Sequence, residues 1–238
     1  MVALLLGCAV FLALMAGLFA PLEHFFPAHG RGQTVKGGAL AVGLFFLNTL
    51  VMQAVGVPVL LVLGAVAEHV RDGAVAHPTV ATVVLVFVVS DLFGYWAHRL
   101  MHRVPLLWRF HRVHHEAHET TWLDAWRQHP VDFVLHGIAV GVPGALLGAS
   151  LSEVASVVVL RKAFTTWLHA NVRAHHGPLE LLLASPRFHA THHSADPRDF
   201  DTNFAGTFPV WDLLFKTLSP SPRGERVGVR GERTAPSA

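Results

Sequence analysis

The fold is decided by residues 91–115, DLFGYWAHRLMHRVPLLWRFHRVHH, where an apolar segment ends and five histidines follow in two short blocks. His98 and His102 form the first block, and His111, His114 and His115 form the second. Residues three and four apart are neighbours on a helix surface, so each block would place its imidazoles on one helix face. The spacing therefore predicts two helical segments that present histidines together.

A third block lies far downstream, in FHATHHS, and repeats the spacing of the second block with His189, His192 and His193. Neutral imidazole is the commonest metal ligand, so eight histidines in three such blocks indicate a metal centre. A structural zinc takes four ligands and a catalytic zinc usually three. The number of histidines therefore favours two metal ions.

The composition indicates an integral membrane protein that does not bind nucleic acid. Of the 238 residues 52% are hydrophobic and only 14% are charged, well below the roughly 25% of soluble domains. The net charge is +2 and the arginines form no basic stripe, which excludes a nucleic-acid interface. Cys8 is the single cysteine, so an internal disulfide and a thiolate-rich metal site are excluded as well.

The first half of the chain predicts membrane spans. Residues 1–22 favour a transmembrane helix over a removed signal peptide, because no basic region precedes the apolar run and no small-residue cleavage site follows it. Residues 37–66 are too long for one ordinary crossing and too short for two, at about 1.5 Å per residue. They predict either one tilted, kinked span or a tight pair of short spans.

The second half predicts a span that enters the first block and a hairpin that returns to it. Residues 79–97 form the span that runs into His98, and residues 131–151 and 154–168 form a helical hairpin, fully spanning or re-entrant. The arginines around the first two blocks place them on the cytoplasmic side by the positive-inside rule. With a single span over residues 37–66, the N-terminus would then lie outside. A single domain over residues 1–218 is expected, with the membrane anchor mainly in 1–90, the catalytic region in 91–218 and a disordered tail in 219–238.

Asp91 lies seven residues before His98, which is two helical turns on the same face. An aspartate near a membrane boundary is costly unless it is paired. We therefore expect its carboxylate to hydrogen-bond a ligand imidazole; the alternative is a solvated carboxylate at a helix end.

The chain resembles the fatty acid hydroxylase or sterol desaturase superfamily over residues 91–218. The resemblance rests on an ordered set of segments: DLFGYWAHRLMH, LWRFHRVHH, TWLDAWRQHP, HANVR, SPRFHATHHS and NFAGTFPVWDLLFKT. It implies an all-α integral membrane bundle of about four spanning or re-entrant helices. A cytosolic helical cap would hold a histidine-rich, non-haem di-iron site.

The resemblance also implies the chemistry and the ligands. It implies oxygen-dependent hydroxylation or desaturation of a lipid C–H bond, with electrons from a separate donor such as a ferredoxin or a cytochrome b5-like protein and its reductase. The eight histidines of the three blocks would bind two iron ions, with zinc possible in a purified form, and His169 resembles the family's additional histidine and would be a ninth ligand. The substrate stays open among sterols, fatty acyl chains, carotenoids and related lipids, and the oligomeric state is unknown.

Several other histidines are weaker candidates. His129, in RQHP, is expected either to bind metal or to support or cap the site. His175 and His176 are adjacent and so lie on different helix faces, and one of them is either a further ligand or a surface histidine. Histidines without a partner pattern are expected to be ordinary loop or helix residues: His24, His29, His69, His77 and His136.

Three other classes of protein also contain many histidines or bind metal through them. A zinc protease is excluded because the motif that starts at His115 and Glu116 requires histidine at position 119, where Glu119 stands. A haem protein leaves most of the histidines unexplained. A non-enzymatic, histidine-rich membrane metal-binding or transport protein is the remaining alternative, although its histidines should line the spans or form a low-complexity tract.

Overall fold

The computed structural model describes residues 2–28, 35–70, 80–117, 120–174 and 176–219. Within these ranges the chain is helical without a β-strand, and one isolated bridge pairs Pro27 with Val172. The prediction of an all-α fold is therefore confirmed. Much of the two polar connections before residues 37 and 79, His175, and residues 220–238 of the expected tail lie outside the described residues.

The α-helices follow one another with short connections. In chain order they are α1 (Val2–Phe25), α2 (Val35–Val51), α3 (Val57–Val70), α4 (Val80–Arg103), α5 (Pro105–His115), α6 (Pro130–Leu147), α7 (Leu151–His169), α8 (Pro186–His192) and α9 (Val210–Leu214). A π-helical turn, Met52–Gly56, joins α2 to α3, and 3-10 turns cover Trp122–Trp126, Gly177–Leu181 and Pro197–Asp199.

Four stretches are long and apolar enough to cross a membrane: Val2–Phe25, Gly37–Val70, Val80–Arg103 and Pro130–Leu147. Large apolar side chains such as Leu14, Val62 and Val84 are exposed on them, as expected for surfaces that contact lipid instead of water. The expectation of about four membrane helices is confirmed, and the protein is an integral membrane protein.

The long apolar stretch before residue 70 is one interrupted helix and not a pair of short spans. Helices α2 and α3 continue into each other through the π-helical turn Met52–Gly56. Pro58, at the second position of α3, has no backbone N–H to donate to the preceding turn, and such interruptions widen a helix into a π-turn. Of the two alternatives left open by the sequence, the kinked single span is correct.

Helices α6 and α7 form the predicted hairpin. Gly148 ends α6 with a φ of 76°, a left-handed conformation that favours glycine. Ser150 and Glu153 then form a capping box that starts α7: the Glu153 carboxylate accepts from the Ser150 N–H at 2.7 Å, and Ser150 Oγ accepts from the Glu153 N–H at 3.3 Å. The return helix α7 ends at His169, so the hairpin brings a histidine back to the blocks.

The last described segment folds over the end of α4. The Asp212 carboxylate accepts hydrogen bonds from the backbone N–H groups of Phe204 and Ala205, both at 2.8 Å, and Phe204 packs with Tyr95 of α4 in a buried cluster. Ser219 is part of this fold, because its N–H donates to Asn203 Oδ1 at 2.9 Å. The described fold therefore includes residue 219, at which the sequence predicts the tail to begin.

Candidate metal centre

The structure brings the nine histidines named as ligands into two adjacent groups, all buried. Ring nitrogens within 4.8 Å of one another define each group. The five-histidine group contains His98, His102, His111, His115 and His192, and the four-histidine group contains His114, His169, His189 and His193.

The spacing of the second and third blocks explains why there are two groups. His111 and His115, four residues apart on α5, point into the five-histidine group, while His114 points into the other. The expectation that each block presents all its imidazoles together on one face was therefore too simple. Each adjacent HH pair supplies one imidazole to each group, so the two groups must lie side by side.

The third block shows the same division in reverse. His189 and His193 share the four-histidine group, and His192 belongs to the five-histidine group. The two groups meet where the rings of His115 and His193 stack with centroids 4.3 Å apart. The second block therefore contributes two histidines to the five-histidine group and one to the four-histidine group. The third block contributes one and two, respectively.

Backbone carbonyls orient four of the nine imidazoles. A carbonyl oxygen can only accept, so a ring nitrogen paired with it must carry the proton. The Nδ1 atoms pair with carbonyls as follows: His98 with Phe204 at 2.8 Å, His114 with Arg127 at 3.3 Å, His169 with Thr165 at 2.8 Å and His192 with Thr202 at 2.8 Å. In the neutral ring the other nitrogen, Nε2, then presents a lone pair.

These lone pairs face one another. The Nε2 atoms of His114 and His169 are 3.0 Å apart, although both rings use Nδ1 as the donor. The buried Nε2 of His98 has no hydrogen-bond partner among the described residues. Converging lone pairs repel each other unless a cation lies between them, so this donor set fits a metal with nitrogen ligands.

An aspartate that the sequence reasoning did not single out supports the five-histidine group. His111 Nδ1 pairs with Asp132 Oδ1 at 3.1 Å, and the other carboxylate oxygen accepts from Gln128 Nε2 at 3.4 Å. Carboxylates behind ligand imidazoles fix the ring and raise its basicity. The available signal was the position of Asp132, in the first turn of α6 directly after RQHP.

Burial keeps the imidazoles outside the spans neutral. Loss of hydration lowers the pKa of each well below its ordinary value, and neighbouring imidazoles lower it further: these are His114, His115, His189 and His193. A metal ligand must be the neutral imidazole. The site is therefore ready to bind metal at neutral pH without first losing protons.

Asp91 does not support the histidines, contrary to expectation. Its Oδ1 accepts from Arg161 Nη1 at 2.8 Å, and its Oδ2 accepts from the Phe208 N–H and from Trp211 Nε1, both at 3.0 Å. The side chain is fully buried, so the alternative of a solvated carboxylate is wrong too. Gly94, one turn further along α4, makes room: a Cβ there would lie 3.1 Å from Arg161 Nη2.

The remaining candidates lie apart from the two groups. His129 caps α6, its Nδ1 accepting from the Val131 N–H at 3.1 Å, so the capping alternative is correct. His176 pairs through Nδ1 with the Leu183 carbonyl at 3.1 Å and stacks near Trp167. His136, expected to be an ordinary helix histidine, instead lies 6.5 Å from His98, ring to ring.

An apolar cavity of about 1130 Å³ opens onto the histidines. Its wall includes His98 and His111 of the five-histidine group and His114, His169 and His189 of the other. From there it extends between the membrane helices, past Leu60 and Gly141, to Ser150 at the α6–α7 turn. A cavity of this size and lining suits the hydrocarbon part of a lipid.

The chain is similar to proteins that are named as lipid-modifying enzymes. The chain is 34% identical to ornithine lipid hydroxylase OlsE of Rhizobium tropici over 158 residues, 32% identical to alkylglycerol monooxygenase of Danio rerio over 136 residues, and 30% identical to methylsterol monooxygenase erg25A of Aspergillus fumigatus over 164 residues. These matches cover 65%, 57% and 65% of this chain but only 47%, 30% and 53% of the relatives.

The family model described as fatty acid hydroxylase matches residues 83–217, from within α4 to just past α9. No solved structure matches the chain significantly. The matched residues contain both histidine groups and the helices that carry them. Because the match covers more than half of the chain, the protein belongs to the fatty acid hydroxylase family.

Proposed function

We propose that the protein is an oxygen-dependent, non-haem di-iron oxidoreductase that hydroxylates or desaturates a C–H bond of a membrane lipid. The carrying observation is the pair of histidine groups, with lone pairs turned inward, at one end of an apolar cavity between membrane helices. A lipid chain reaches such a site from the bilayer. The names of the relatives, two monooxygenases and a hydroxylase of lipids, support the same chemistry.

The division into five and four histidines supports two metal ions, one in each group. Nitrogen ligands without a thiolate suit iron and also zinc, and the family points to iron. On this proposal the metal ligands are the nine histidines, and Asp132 holds the ring of His111. His129 and His176 are not ligands.

Bound iron would supply oxygen activation and the redox change at the C–H bond. The chain's own contribution is positional. The carbonyls of Phe204, Arg127 and Thr202 hold their partner imidazoles in one tautomer. The apolar cavity wall orients the lipid and excludes bulk water from the histidines, which limits side reactions.

The proposed partners are those that the family implies. Oxygen and a membrane lipid are the substrates, and electrons come from a separate donor, a ferredoxin or a cytochrome b5-like protein with its reductase. Arg109 and Arg112 are exposed on α5, beside the histidines. By the positive-inside rule they support a site on the cytoplasmic side. The richness of the sequence in Ala, Val, Gly and Arg supports a bacterial source, and with it an inner-membrane location.

The test is metal analysis combined with lipid mass spectrometry. The purified protein should contain about two irons per chain, as the two-group arrangement requires. Cells that express it under isotopically labelled oxygen should accumulate a lipid that has gained one labelled oxygen atom or lost two hydrogens. A His111→Ala variant should give neither product. A protein that binds one zinc and changes no lipid would contradict the proposal.

The non-enzymatic alternative, a histidine-rich metal carrier, gains no support from the structure. A transport path needs ligands spread along the spans, whereas the nine histidines close around two adjacent points.

A further inference from the structure

Lys162 places a positive charge in the cavity wall, and within the described part of the chain no carboxylate pairs with it directly. Its neighbour Arg161 is paired with Asp91 at 2.8 Å. Among the described residues no carboxylate oxygen lies within ion-pair distance of the Lys162 ammonium, which donates instead to the neutral amide oxygen of Gln128 at 3.3 Å. Both Lys162 and Gln128 line the cavity.

Two aromatic rings lie close to the ammonium. It lies 4.4 Å from the centroid of the Phe133 ring and 5.4 Å from that of Trp126. Such contacts are attractive but bring no negative charge, and the carboxylate of Asp132 lies behind the Gln128 amide, which donates to it at 3.4 Å. An ammonium in an apolar environment is costly unless it is paired, and ionisable groups at membrane depth usually mark a binding site or a path.

The position of Lys162 ties it to the reaction site. It precedes His169 by seven residues of α7, so the two lie on one face about 10 Å apart along the axis. A continuous hydrogen-bonded chain also joins it to the five-histidine group, from Lys162 to Gln128, then to Asp132 at 3.4 Å and to His111 at 3.1 Å. A group bound at Lys162 therefore lies beside the histidines.

We propose that Lys162 is a specificity-determining residue that binds a negatively charged oxygen, carboxylate or phosphate, of the lipid substrate. The inference rests on the proposed function and refines its substrate class. The charged end of the lipid lies on the histidine side of the cavity. The hydrocarbon chain extends along α7 toward Ser150, about 18 Å away over twelve residues.

Ligand binding to the metal-loaded full chain in detergent tests this without turnover. The probes share one saturated chain and differ at the end: palmitate, hexadecyl phosphate and hexadecanol. Quenching of tryptophan fluorescence reports occupancy, since Trp126 lines the cavity. At least one anionic probe should bind about 10–100-fold more tightly than the alcohol, as expected of a hydrogen bond to a charged group, and the stronger one identifies the acid.

Three variants assign the preference. Lys162→Met should remove it, and Lys162→Arg should retain it. Lys216→Met is the matched control, because it deletes one lysine charge at an exposed position away from the cavity and should leave the preference intact. If Lys162→Met does not fold, as judged by thermal unfolding and metal content, Lys162→Gln replaces it.

An anionic preference that survives the neutral variants would overturn the inference, as would a wild-type protein that binds the three probes equally. The outcome is independent of catalysis. A Lys162-dependent preference in a protein that oxidises no lipid would contradict the proposed function and leave the anionic site standing. If the protein oxidises lipids but its probe preference is the same with and without the Lys162 charge, the anionic site is contradicted and the proposed function stands.

Discussion

Two buried polar regions lie beside the membrane helices of this protein, and they differ in how far the chain satisfies them. In the histidine region, the Nε2 atoms of His114 and His169 lie 3.0 Å apart, and each directs a lone pair at the other. In the region around Asp91, every close partner of the carboxylate is a donor, from Arg161, Phe208 and Trp211. The first region needs a cation from outside to be stable, whereas the second is complete within the chain.

The largest effect should follow from removing one inward-facing imidazole. His192→Ala deletes a member of the five-histidine group whose Nδ1 is held by the Thr202 carbonyl. We expect loss of most bound iron and of all measurable lipid oxidation, because ligand removal opens the coordination sphere. Iron content by mass spectrometry and product analysis check this. A variant that keeps full iron and turnover would remove His192 from the site.

The metal-free protein should lose stability in mild acid. Burial lowers the folded-state pKa of His114, His115, His189 and His193 far below the unfolded value of about 6.5. Below pH 6.5 the unfolded chain therefore binds more protons than the folded chain, and the free energy of unfolding falls as the pH falls. Above that pH this contribution is constant.

Chemical unfolding at pH 7.5, 6.5 and 5.5, conditions that we choose to bracket the unfolded pKa, should show decreasing stability for the metal-free protein. The metal-loaded protein should resist until protons displace the metal, and then lose stability and metal together. Equal stability of the metal-free protein at all three values would contradict the buried neutral imidazoles.

The ion pair around Asp91 should matter for stability and not for metal content. Asp91→Asn leaves the Arg161 guanidinium buried without a counter-charge, and breaking one side of a buried pair costs about 3–5 kcal/mol. The double variant with Arg161→Met should recover part of that loss, since it removes the unpaired charge as well. Denaturant unfolding measures both, and iron content near the wild-type value is expected in the folded fraction.

If Asp91→Asn instead lost its iron while remaining folded, the contrast between the two regions would fail. Asp91 would then act on the histidines through a path other than its contacts in this structure.

Asp132 tests how far the histidine region depends on its surroundings. Asp132→Asn keeps the shape but removes the charge behind His111, and such changes typically weaken metal affinity 10–100-fold. Titration with a competing chelator measures this. Asp196→Asn is the control, because Asp196 lies in a partly exposed turn where it pairs with Arg198. Equal affinities for the two variants would contradict a supporting role for Asp132.

The sequence predicted the parts of the molecule that depend on local periodicity. The histidine spacing on α4, α5 and α8 is a helical pattern, so the histidines of these helices that converge in the two groups could be predicted from the sequence. The partners of Asp91 and His111 could not be predicted in this way, because Arg161 and Asp132 lie 70 and 21 residues further along the chain. Which carboxylate reaches a histidine and which reaches Arg161 depends on how α4, α6 and α7 pack, and no local pattern encodes that.

The smallest effect concerns His129. It distinguishes a histidine that lies near the metal site in the sequence from one that binds metal. His129 lies in RQHP, three residues before Asp132, yet its ring accepts from the Val131 N–H and packs 4.8 Å from the Phe110 ring. His129→Ala removes this helix cap together with the ring contact to Phe110, and loss of a cap alone costs about 0.5–2 kcal/mol. His129→Asn, which also caps helices well, should restore most of that stability.

Both His129 variants should bind iron and oxidise lipid as the wild type does, because neither touches the histidine groups. Thermal unfolding should separate the two variants from each other while metal analysis does not. A loss of iron in His129→Ala that His129→Asn does not repair would show instead that this imidazole reaches a metal. The metal site would then include His129 in addition to the nine histidines.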